Sequence, residues 1–122
     1  MKKIVSASIV FGLLLFVVVF NNIEAAAPPK PMKGQIVSLD DIIKGVKDLQ
    51  LTKQRAQELL ESNSPLVFRV GTKLYFVQNE DGSFAFKKLA NFAHNKNVGI
   101  VGKTRTVSGI NVIIMSNIES MD

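Results

Sequence analysis

Residues 1–27 most constrain what this chain can fold into, because they take an apolar helix former away from the domain that follows. Lys2 and Lys3 lead an apolar run over 4–20, which exits through Asn21-Asn22-Ile23-Glu24-Ala25-Ala26-Ala27. A positive start, an apolar middle and a small-residue exit together read as a secretory signal peptide. A cut after Ala25 places Ile23 and Ala25 at the third and first positions before the bond, and is the expected one. A cut after Ala27 ranks second because Pro28 follows it, and a cut after Ala26 would set Glu24 three back. Retention as an anchor is the alternative fate, since a run of this length lies near the lower limit of about 17 residues for a span. Export places the chain in the periplasm or outside the cell. It argues against cytosolic nucleotide chemistry and chromosomal DNA.

From Ala26 to Asp122 the chain has 97 residues and no cysteine. Such a chain is one domain that must close its core without disulfides. It also offers no cysteine for a lipid anchor. With the leader removed, thirteen Lys and Arg stand against nine Asp and Glu, a net charge of +4. That keeps the protein soluble and biases it towards anionic surfaces, but does not by itself indicate nucleic acid.

Residues 26–33 hold Pro28, Pro29 and Pro31 with two lysines, the composition of an extended linker. The domain is expected over 34–122. Gly34-Gln35-Ile36-Val37-Ser38 reads as a first strand, and Ser38 with Asp41 three residues later resembles a capping signal for a short helix through Ile42, Ile43 and Val46. Gly45 weakens that helix. Thr52 is a good N-cap for the next, with Leu51 able to staple onto Ala56, and Ala56, Leu59 and Leu60 on one face. Ser62-Asn63-Ser64-Pro65 stops it.

After Pro65 the apolar period shortens. Leu66–Val70 and Lys73–Val77 flank Gly71-Thr72, which suits a type II′ hairpin turn. Asn79-Glu80-Asp81-Gly82 makes another turn, a helix is expected from Phe86 to His94, and strands over 97–107 and 110–118 surround Ser108-Gly109. The order is strand, helix, strand, strand, helix, strand, strand. It matches a five-stranded Greek-key barrel of the OB type.

The closing segments Val98-Gly99-Ile100-Val101-Gly102-Lys103, Ser108-Gly109-Ile110, Val112-Ile113-Ile114 and Ile118-Glu119 resemble the last hairpin of small exported bacterial OB-fold-like domains. The block over 65–77 with Asp81-Gly82 and Leu89-Ala90 is similar too. The resemblance spans about residues 34–119 and implies an α+β fold: a small, partly open five-stranded OB-like barrel with one or two helices, behind a signal helix. Some such domains carry cysteines early in the chain. This one has none, so a metal or haem role tied to them does not carry over.

Gly102-Lys103-Thr104 matches the end of a P-loop, but the glycine required five residues earlier is Asn97, and a strand follows instead of a helix. Asn79-Glu80-Asp81-Gly82 fails as a calcium loop, because positions one and twelve would be Val77 and Lys88. Asp40 and Asp41 fit a helix N-terminus and its dipole. His94, the only histidine, fits a helix end. With no cysteine and no second histidine, thiol catalysis and multi-histidine zinc sites are excluded. No catalytic, cofactor or metal residue is assigned, and no cofactor is expected.

Lys87, Lys88, Lys96, Lys103 and Arg105 remain as a candidate surface for an anionic ligand or partner. Lys103 and Arg105 share a face on a regular strand. Their plain alternative use is to keep a strand edge from pairing. One tyrosine and phenylalanines expected in the core make a base-stacking platform a poor fit. The core is expected at Phe68, Val70, Leu74, Phe76, Leu89, Phe92, Ile100, Val112 and Ile114, with alternate members facing outward in a strand pair. These features point to an exported, non-catalytic binding module for an extracytoplasmic protein or an anionic ligand. The alternatives are a membrane-anchored accessory subunit, should the leader be retained, and a hydrolase without a recognisable motif.

Overall fold

A computed structural model describes residues 29–122. The expected leader, its cleavage site and the start of the linker lie outside the described residues. Eight elements follow: β1 (Met32–Ser38), α1 (Leu39–Ile43), α2 (Lys53–Glu61), β2 (Leu66–Val70), β3 (Lys73–Gln78), α3 (Phe86–Phe92), β4 (Val98–Val107) and β5 (Ile110–Ser120). The helices number three among the described residues, at the three segments expected from the sequence, one more than the one or two that the OB-like resemblance implied.

The caps form as the residue types dictate. Ser38 is fully buried, and its Oγ accepts the Asp41 amide at 3.2 Å. The Thr52 Oγ1 accepts the Arg55 amide at 3.0 Å. Gly45, at φ +76°, turns the chain away after α1, which ends at Ile43, short of the expected Val46. Asn63, at φ +56°, does the same after α2, where an asparagine tolerates the left-handed region. α3 stops at Phe92, short of His94, and its end is held from elsewhere. The Gln50 Nε2 donates towards the carbonyls of Leu51, Ala93 and His94, at 3.1, 3.4 and 3.2 Å. Gln50 in turn accepts from Gln35, and Gln35 accepts from Arg69.

The strands close in the order β1-β2-β3-β5-β4 and back to β1. All neighbours are antiparallel except β3 and β5. α3 carries the chain from β3 to β4, which lies beside β1 instead of β3. This closed, mixed five-stranded barrel fits an OB-like architecture. It corrects the expectation of a partly open barrel: Met32, Lys33 and Gly34 pair with Ile100, Gly99 and Val98 and shut the sheet on itself. β1 thus takes in Met32 and Lys33, which composition assigned to the linker.

The interior is filled by Ile36, Leu66, Phe68, Tyr75, Val77, Val98, Ile100, Ile113 and Met115 from the strands. Leu51, Ala56 and Leu59 join the same cluster from the α2 region, and Leu89, Ala90 and Ala93 from the α3 region. Of the expected core, Phe68, Leu89, Ile100 and Val112 are buried. Val70 and Phe92 are partly buried against the cluster. Leu74, Phe76 and Ile114 are not buried, and this corrects the expected parity. The segments Leu74-Tyr75-Phe76-Val77 and Val112-Ile113-Ile114-Met115 are apolar on both faces, so alternation cannot say which face turns inward. The register decides it: Tyr75 pairs with Phe68, which pairs with Ile36, and Val77 pairs with Ile113.

Candidate functional site

The inverted parity places an apolar row on the outside of the barrel. Phe76 is the register partner of Val112 across β3 and β5, and Val112 is the partner of Arg105 across β5 and β4. Directly opposed residues share a face. Two residues along, Val107 opposes Ile110, and in the other direction Lys103 opposes Ile114, which opposes Gln78. One outer face therefore carries aromatic, aliphatic and cationic side chains together.

Phe84 extends this face. It follows a tight turn in which the Asn79 amide donates to the Ser83 carbonyl at 2.8 Å and the Gly82 amide to the Asn79 carbonyl at 3.0 Å. The Asp81 carboxylate accepts from the Ser83 hydroxyl at 2.6 Å and from its amide at 3.0 Å. Those bonds, the hydroxyl first, hold the Asp81 pKa below its ordinary value, and Lys88 adds a smaller pull in the same direction. Phe84 then bridges to Gln78, and the Ala85 amide donates to Val77 at 2.9 Å. Its ring stacks on Phe86, centroids 5.2 Å apart and 4° from parallel, and meets Phe76 edge-on at 6.1 Å. Both are favoured aromatic geometries. Even so, Phe84 stays 52% exposed, with Ile110 at 51% and Val107 at 48%.

These residues surround a groove of about 400 Å³, lined by Phe76, Gln78, Phe84, Arg105, Val107, Ser108, Ile110 and Val112. Its far wall is the β4–β5 turn. Ser108 and Gly109, at φ +51° and +82°, have the paired positive φ of a type I′ turn. A second hollow of about 490 Å³ is lined by Pro29, Glu80, Val101, Gly102, Lys103, Ile114 and Ser116. Lys103 borders one hollow and Arg105 the other. Neither makes an ion pair among the described residues.

A β-bulge at Val101/Gly102 shapes the second hollow. A Cβ on Gly102 would run into the Ile114 carbonyl oxygen and come within 2.9 Å of the Ile113 Cγ2. The strand crosses β5 closely here because residue 102 has no side chain. That explains the glycine of the P-loop look-alike, and no helix follows it.

All five candidate cations are exposed. Lys103 and Arg105 lie on one face of β4, as their spacing predicts. Lys87 and Lys88 lie on α3, with Lys88 near enough to Asp81 to bear on its charge. Lys96 stands before β4, where Asp122 accepts from the amides of Lys96 and Asn97. Lys96 lies two residues before β4, and the five strand steps from Val98 to Lys103 alone span about 17 Å at about 3.3 Å per residue. The groove residues Phe84, Val107 and Ile110 escaped sequence reasoning because their exposure depends on pairing parity. Phe84, the third of Gly82-Ser83-Phe84-Ala85-Phe86, was the one available signal: an aromatic just after a turn.

Among the described residues no group of three or more His, Cys, Asp or Glu side chains could hold a metal, and no helix is long and apolar enough to cross a membrane. No family model matches the chain, and neither the curated proteins nor the solved structures gave a match.

Proposed function

We propose that this protein is an exported, non-catalytic binding module whose partner docks on the outer face of β3, β5 and β4. Export rests on the leader in residues 1–27. The binding role rests on one observation: Phe84, Val107 and Ile110 stay exposed together around a groove that Arg105 borders. Scattered exposed apolar residues need no explanation, whereas a contiguous apolar patch with a polar rim marks an interaction site. Aromatic and arginine side chains in one patch are the residue types enriched at binding hot spots. By analogy of fold alone, OB-type barrels bind through the β2–β3 face and the β1–β2 and β4–β5 loops. Here the groove lies between β3 and the β4–β5 turn. The partner is an extracytoplasmic protein or an anionic ligand.

The test is capture from periplasmic extract with the tagged, exported protein, compared with the Lys103→Ser/Arg105→Ser double variant. The parent should retain a partner that the variant loses, with the difference largest at low salt and fading as salt rises, since exposed charges are screened over about 8 Å at physiological ionic strength. Equal retention at every salt concentration would remove these cations from the function.

A further inference from the structure

Among the described residues, β4 has an open length of strand on its β1 side. β1 pairs with β4 only from Val98 to Ile100, whereas β4 runs on to Val107. From Gly102 to Val107 β4 is hydrogen-bonded to β5 alone among the described residues, and all six residues are exposed. The sequence explains why the β1 ladder stops. The next residue out from Met32 is Pro31, and Pro29 follows two further on. Proline has no amide hydrogen to give a ladder and is confined to strand edges and starts. Every second residue of an unpaired strand side presents its N–H and C=O outward, which makes it a template for another strand.

The charges say which strand. Lys103 and Arg105 stand two apart on the outer face of this edge. If two copies paired antiparallel about Thr104, Lys103 of each would oppose Arg105 of the other. Like charges directly opposed across a strand pair are destabilising. The same two cations favour an incoming strand with carboxylates at two-residue spacing. Glu80 borders the hollow beside Lys103 and limits the attraction there, so Arg105 is the stronger anchor.

We propose that the Gly102–Val107 edge of β4 is a β-augmentation site for an extended acidic segment of a partner protein, bearing Asp or Glu at alternate positions. Main-chain hydrogen bonds supply binding, and Lys103 and Arg105 supply sign and register. The proposal rests on the binding role given above to the same face and names its partner.

The probe is a labelled eight-residue peptide with Glu at alternate positions and Thr or Val between, titrated into the purified full chain by fluorescence anisotropy. A twin peptide carries Lys in place of Glu. A third carries the same acidic sequence with alternate amides N-methylated on the pairing side. The acidic peptide should bind at least tenfold more tightly than its Lys twin. N-methylation should weaken it at least tenfold, and this control needs no change to the protein. Lys103→Glu/Arg105→Glu should invert the preference between the acidic and basic peptides, and Glu80→Gln should tighten the acidic one. Equal binding of both charge twins, or of the N-methylated peptide, overturns the proposal. So does the absence of any binding at millimolar peptide. If the peptides fail while the Lys103→Ser/Arg105→Ser variant still loses its captured partner, the edge proposal falls and the binding face stands.

Discussion

Phe68→Ala should be among the most damaging single changes in the domain. Phe68 is fully buried and is the register partner of both Ile36 and Tyr75. Its ring also lies against Gly34, where a Cβ would come within 2.8 Å of the Phe68 Cζ. Truncation opens a cavity among three strands that are tied to one another by the barrel, so the walls cannot collapse freely. Phenylalanine truncations in such sites cost about 3–5 kcal/mol. A domain of this length has about 5–14 kcal/mol in total. At about 4–8 °C per kcal/mol, the melting temperature should fall on the order of 15–30 °C. Circular dichroism melts and urea titrations of parent and variant measure it. Phe84→Ala is the matched control, since that ring is 52% exposed, and it should cost no more than about 1 kcal/mol. A Phe68→Ala shift under about 5 °C, or a larger loss at Phe84 than at Phe68, would refute the inward assignment of Phe68, Tyr75 and Val77.

Other outcomes follow from single features. Gly102→Ala should cost about 1–3 kcal/mol, because the new methyl meets the Ile114 carbonyl oxygen and the strand must move; an unchanged urea midpoint would show that the bulge yields freely. For Asp122, desolvation is the largest influence and raises the pKa, but bonds from the Asn97 and Lys96 amides and the Asn97 side chain, with the Lys96 charge, outweigh it and leave the pKa lowered. A lowered carboxylate contributes stability that is present above its unfolded value and lost as pH falls through the folded value. The Asn97 amide resonance should therefore titrate below the ordinary aspartate range, and a midpoint within or above that range would contradict the contact. The intact mass of the exported protein should match a start at Ala26, or second at Pro28, and recovery of the full-length chain alone would sink the signal-peptide assignment.

Local chemistry was legible in the sequence wherever one residue type has one good use. Ser38 and Thr52 announced their caps, Gly71 and Ser108-Gly109 their turns, and Lys103 and Arg105 a shared exposed face. The hairpins and the five-strand count followed. Two things were not legible, for physical reasons. The inward face of β3 and β5 is set by non-local register, and segments apolar on both sides carry no period to reveal it. Gln50 looks like any loop glutamine, yet its amide ties the end of α3 to the segment before α2 across more than forty residues of sequence. The groove inherits both difficulties. Its aromatic members read as core until the parity is known, and its cations read as a solvated face until Phe84 and Ile110 are seen beside them.

Site-specific photocrosslinking in the exporting cell tests the binding face most directly. A photoreactive phenylalanine analogue at Val107, which is 48% exposed beside the groove, should trap a discrete covalent adduct. The same analogue at Lys53, exposed on α2 and outside the groove, should trap none. An adduct at Lys53 with none at Val107 would contradict the account and move the binding surface to the helical side of the barrel.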